Sequence, residues 1–147
     1  MEFAFVAPVF ITVLLGITQV SSLLATQNTM SMAAREGARV AAMDHNSIVQ
    51  SGTTTNQKVE TDIRNFLKSA NLPYEEEDVT VEIVHADNPE STFDLDDPSN
   101  SYELFQIRIE IPYEEAGGYA PPGLEDYNLG AQVVFRNSKA PTASLVQ

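Results

Sequence analysis

From Phe3 to Ala34 the chain carries no charge, and the first part of that run, through Leu23 and Leu24, is almost wholly apolar. As a helix, Phe3 to Leu24 would be about 33 Å long, which matches a bilayer hydrocarbon core of about 30 Å. The segment is therefore predicted to span a membrane. A secretory signal peptide has a basic leader and a shorter apolar region, and this run has neither. Beyond Leu24 the pattern changes without breaking. The stretch from Ala25 to Met43 is rich in Ala and Met with amphipathic spacing, weakened only by Gly37, so one helix of about 40 residues is expected. Its second half gathers Ala34, Gly37, Ala38, Ala41 and Ala42 on one side, where another backbone can approach closely. Arg35 and Arg39 share a separate stripe, four residues apart.

A polar linker with Gly52 and three consecutive Thr follows, from Asp44 to Gln57. A second helix is predicted from Thr55 to Ala70, with Val59, Ile63, Phe66, Leu67 and Ala70 on one face and Pro73 as its stop. Alternation of apolar and polar residues then marks three strands: Val79–Ile83, Phe105–Ile111 and a shorter Gln132–Arg136. Between them lie an acidic loop from Asp87 to Ser101 and a Pro/Gly/Tyr loop from Glu114 to Leu129. The expected fold is α+β: a long N-terminal hydrophobic helix (1–44), a small acidic head (45–137) with one helix packed on an antiparallel sheet of three or four strands, and a flexible tail (138–147).

Charge sharpens this division. The net charge of −13 splits into −1 for residues 1–44 and −12 for residues 45–147. Such a head repels nucleic acid and anionic headgroups, so no nucleic-acid partner is expected. There is no cysteine, which excludes disulfides, thiolate metal sites and a Cys nucleophile.

Candidate chemistry is sparse. Asp94, Asp96 and Asp97, with Asp87 and Glu90 nearby, offer oxygen ligands of the kind Ca²⁺ takes. The spacing is not that of an EF-hand, and Asp-rich loops are usually only solvated, so neither metal nor cofactor is expected. His45 and His85 are isolated, with no nucleophile motif or phosphate-binding loop nearby, and no enzymatic activity is expected. Tyr102, Tyr113, Tyr119 and Tyr127 read equally as a subunit contact or as half-buried loop aromatics.

The leading Glu2-Phe3-Ala4-Phe5-Val6-Ala7-Pro8, the Thr26-Gln27-Asn28 that follows and the later Ala33-Ala34-Arg35-Glu36-Gly37-Ala38-Arg39 together resemble the TadE-like pseudopilins of tight-adherence pilus systems. The resemblance covers about the first 43 residues; the remainder resembles that family only as a small α+β domain. It implies a type IV pilin-like structural subunit. Such a chain is cleaved by a prepilin peptidase, held in the bacterial inner membrane as a precursor, handled by the pilus assembly machinery and polymerised into an extracellular helical homo-oligomer. The implied assembly residues are Glu2, Phe3, Phe5, Val6, Pro8, Phe10, Ile11, Leu14, Leu15 and Ile17; helix–head packing falls to Ala34, Gly37, Ala38 and Ala41. Glu2 reads either as an interfacial residue or, preferably, as the charge partner of a neighbouring subunit's N-terminal amine. In the family that Glu sits fifth after the cleavage point, whereas here it is second, so either the chain as given lacks residues of the mature start or processing differs. Pro8 removes one helical hydrogen bond, which either kinks an anchor or softens the helix for repacking. The alternative function is a single-pass anchored binding protein, or a minor pilus-assembly component that does not polymerise.

Overall fold

The computed structural model describes residues 3–43, 52–70, 72, 76–116 and 127–138. The linker positions 44–51, Pro73, Tyr119 and the tail from residue 139 lie outside them. Helix α1 runs unbroken from Phe3 to Ala41, through Pro8, and helix α2 spans Thr55–Ser69. Strands β1 (Thr80–His85), β2 (Leu104–Pro112) and β3 (Asn128–Arg136) form an antiparallel meander in the order β1-β2-β3. Long apolar helix, second helix and antiparallel sheet together give the expected α+β architecture.

Local chemistry accounts for the start of α2. Thr54 in extended conformation accepts a hydrogen bond from the Gln57 N–H, and the Gln57 side chain accepts from the Thr54 N–H. This capping box satisfies two donors that a helix otherwise leaves open. Val59, Ile63 and Leu67 then recur on one buried face, with Phe66 half-buried beside them. Ala70 does not join that face. It is exposed, because the helix ends at Ser69 and Ala70 acts as its C-cap.

Alternation along β2 turns Phe105, Ile107, Ile109 and Ile111 to the helices, all fully buried. In register, Ile107 pairs with Ile83 on one side and Val133 on the other, so the inner face is aliphatic across all three strands. On the outer face Arg108 lies 3.7 Å from Glu82 and 4.0 Å from Glu110, and Gln106 Nε2 donates to Gln132 Oε1 at 2.9 Å. Arg108–Glu82 and Gln106–Gln132 are cross-strand polar pairs of the kind an outer sheet face favours, whereas Arg108 and Glu110 lie two apart on β2 itself.

The ends of β1 and β2 shift by a residue or two from the expected Val79–Ile83 and Phe105–Ile111, and two further differences are larger. Strand β3 begins at Asn128, four residues earlier than its predicted start at Gln132, because Leu129, Ala131 and Val133 keep the inward alternation on either side of Gly130. The acidic segment after β1 is not a free loop either. Val84 bridges to Thr92, with Phe93 N–H donating to the Ile83 carbonyl at 2.9 Å, and Phe93 and Leu95 are buried in the core.

Candidate assembly surface

Helix α1 meets the head over only its second half. The covered face consists of Thr26, Met30, Ala33, Ala34, Gly37, Ala38 and Ala41, all buried. Small side chains let the backbone approach closely, and Gly37 shows how closely. A Cβ added there would lie 2.5 Å from Ile63 Cδ1 on α2.

Two contacts bracket this packing. Gln27 Nε2 reaches the Gly130 carbonyl at 3.5 Å, and Ser138 Oγ donates to the Ala42 carbonyl. Strand β3 therefore runs parallel to α1, and the lower rim of the head sits level with Gln27.

Below that rim only Leu23 and Thr26 still touch the head, and among the described residues nothing from the head reaches the rest of the apolar run. The ten large apolar side chains from Val6 to Leu24 that stand exposed keep between 46% and 64% of their surface open on every side. Val6, Phe10, Ile11, Leu14, Leu15 and Ile17 are among them, and Pro8 is exposed as well. Glu2 lies outside the described residues, as do the side chains of Phe3 and Phe5.

Three of the five polar side chains between Val6 and Leu24 are satisfied within the helix itself. Thr12 Oγ1 donates to the Pro8 carbonyl at 2.9 Å, Thr18 Oγ1 to Leu15 at 2.8 Å and Ser21 Oγ to Ile17 at 2.8 Å. A hydroxyl bonded to the preceding turn needs no water, so these residues cost little in an apolar surrounding. By length and composition, the helix from Val6 onward is able to cross a membrane.

One exposed stripe crosses the division between the halves. Val6, Phe10, Leu14, Ile17, Ser21 and Leu24 recur every three or four residues, and Asn28, Met32, Arg35, Arg39 and Met43 continue the series. It lies opposite the face covered by the head.

The first 39 residues match a known family. The matching family model is described as TadE-like protein and covers residues 1–39. Its span holds the whole exposed apolar segment and most of the packing face, so the TadE-like segment is the helix α1 just described. The likeness to TadE-like proteins is confined to this segment, 39 of the 147 residues. No curated protein and no solved structure matches the chain.

Asp94, Asp96 and Asp97 are engaged within the head, while Asp87 and Glu90 are exposed and His45 lies outside the described residues. Asp96 accepts from the Thr55 N–H at 2.7 Å and from the Thr55 hydroxyl, adding a carboxylate to the positive end of α2. Asp94 Oδ1 accepts from Asp96 N–H at 2.9 Å, and Asp97 caps the short turn Pro98–Asn100 through the Ser99 N–H at 2.8 Å. The Ser99 hydroxyl and then its N–H hold the Asp97 carboxyl below its ordinary value. Among the described residues no three His, Asp or Glu side chains converge as a metal site.

His85 packs its ring edgewise against Phe93 at 4.7 Å and faces Glu103 at 3.8 Å. Tyr102 sits at φ 66° and Tyr127 is exposed, while Tyr113 is half-buried and donates its N–H to the Tyr127 carbonyl at 2.8 Å. Asn56 is a structural residue the pattern did not reveal. Its side chain donates to Phe93 O at 2.6 Å and accepts from Leu95 N–H at 2.9 Å, clamping the acidic segment to α2.

Proposed function

We propose that the chain is a structural subunit that polymerises through α1 into an extracellular type IV pilus-like filament. The observation that carries this reading is the continuous apolar surface of α1 below the head, exposed on all sides. Surface of that extent needs a cover of lipid or protein. Lipid covers it in the inner membrane before assembly, and copies of the same helix cover it afterwards. Each large side chain left in water would cost about 1.5–3 kcal/mol, so the helix leaves lipid only for another apolar cover. Copies related by a rotation that does not close build an open helix through heterologous contacts. The head, with its net negative charge, stays on the outside.

At the start of the helix, Glu2 is proposed to pair with a neighbour's N-terminal amine and set the axial register. Glu2→Gln then keeps membrane insertion but lowers filament yield, because an amine is left unpaired in an apolar surrounding. Sheared surface material and washed membranes, each quantified for the subunit, test both readings. A filament subunit appears in the sheared fraction in stoichiometric amounts. A chain that anchors a binding head without polymerising stays with the membranes.

A further inference from the structure

We infer that Arg35 is a docking point for a second copy of this chain, engaging the carboxylates Glu114 and Glu115 on the lower rim of that copy's head. The inference rests on the reading of α1 as an assembly surface and adds the contact that ties helix to head.

The exposed stripe supplies the first observation. Above the rim it reads Met32, Arg35, Arg39 and Met43, in line with the apolar side chains below. Arg39 is balanced within its own helix by Glu36. Arg35 is exposed and makes no ion pair with a described residue. Elsewhere Lys58 is held by Asp62, Arg64 by Glu60 and Arg108 by Glu82. Packing α1 against another copy therefore brings an uncompensated cation, flanked by flexible Met side chains, into a partly apolar contact. Such a cation requires an anion from the partner, and a guanidinium takes a carboxylate in two-pronged geometry.

Charge and position choose the anion. The head carries 18 of the 21 acidic residues of the chain. Strand β2 ends at Pro112, paired with Asn128, and the turn that follows holds Glu114 and Glu115, both exposed, at the rim level with Gln27. Arg35 lies eight residues further along α1, which is about 12 Å. A copy shifted forward along the helix axis by about that distance sets its rim carboxylates against Arg35. An axial stagger of this kind is what an open helical assembly supplies.

The chain has no cysteine, so introduced thiols are unique. Two differently tagged full-length copies are co-expressed, one with Met32→Cys and one with Tyr127→Cys, and the filament material sheared from the cells is treated with a short bismaleimide. Tyr127 is exposed and bonded to Tyr113 at the same rim. The expected product is a heterodimer that falls about tenfold when Arg35→Glu is added to the first copy. It returns when Glu114→Arg and Glu115→Arg are added to the second. A heterodimer insensitive to Arg35→Glu overturns the inference. A parallel pair of Leu14→Cys copies reports α1 packing alone. If Leu14 cross-links and the Met32–Tyr127 pair does not, the head contact is wrong while assembly through α1 stands. If Leu14 fails to cross-link, the assembly reading itself falls, and this contact with it.

Discussion

Gly37 faces Ile63 across the α1–α2 contact so closely that a Cβ at position 37 would lie 2.5 Å from both Ile63 Cγ1 and Cδ1 and 3.6 Å from Ile107 Cδ1. Glycine inside a helix normally costs about 1 kcal/mol relative to alanine. Here that cost is offset by the approach of a fully packed second helix. Gly37→Leu is expected to destabilise the head by about 1–3 kcal/mol through overpacking. Combining it with Ile63→Ala, which opens the space, should recover part of the loss. Thermal unfolding of the detergent-held chain in a double-mutant cycle measures this. Simple additivity of the two changes would mean that the pair is not coupled.

The contact shows what sequence alone reveals and what it hides. The grouping of Ala34, Gly37, Ala38 and Ala41 on one helical face is readable from periodicity, as is the change from all-round apolar to amphipathic character near Ala25. That Ile63 is the residue opposite Gly37 is not readable, because it depends on how α2 crosses α1. The same holds for Phe93 and Leu95. Their alternation with Thr92, Asp94 and Asp96 is a strand-like signal, but the acidic residues between them mask it. Gly130 hid the first half of β3 in the same way, since it interrupts the pattern without breaking the strand.

Asp96 acts on α2 from a distant part of the chain, through the Thr55 N–H and hydroxyl. Asp96→Ala should lower stability by about 0.5–2 kcal/mol, the range of a lost helix cap. Calcium at millimolar concentration and chelator should leave the melting temperature unchanged, because Asp94, Asp96 and Asp97 already accept hydrogen bonds from the chain itself. A calcium-dependent rise abolished by Asp94→Asn with Asp96→Asn would instead assign a metal to this segment.

Asp97 provides a pH-dependent check. Its carboxyl is held below the ordinary Asp value, first by the Ser99 hydroxyl and then by the Ser99 N–H. A group whose folded pKa is depressed contributes stability above its unfolded pKa, and that stability is lost as pH falls through the folded pKa. The Asp97 carboxyl carbon followed by NMR should titrate below the ordinary Asp value. Ser99→Ala should move the midpoint upward, and an unchanged midpoint would remove the hydroxyl as the main cause.

Within the apolar half of α1, Thr12, Thr18 and Ser21 bond, among the described residues, to their own helix. Replacing all three with Val or Ala should leave membrane insertion intact, whereas Leu14→Lys should lower it, at a cost of about 2.5–3.5 kcal/mol for a charge at the helix centre. Glycosylation-mapped insertion distinguishes the two. Loss of insertion in the triple variant would show that the hydroxyls serve a partner outside the helix.

The central claim is that the apolar half of α1 drives assembly and the other half belongs to the head. Removing residues 1–22 tests it most directly, since the head begins to cover the helix at Leu23 and Thr26. Light scattering after size-exclusion chromatography should find the shortened chain as a soluble, folded monomer under conditions in which the full chain, freed of detergent, forms filaments. Filaments formed by the shortened chain would contradict the account, because the surface held responsible for polymerisation would no longer be present.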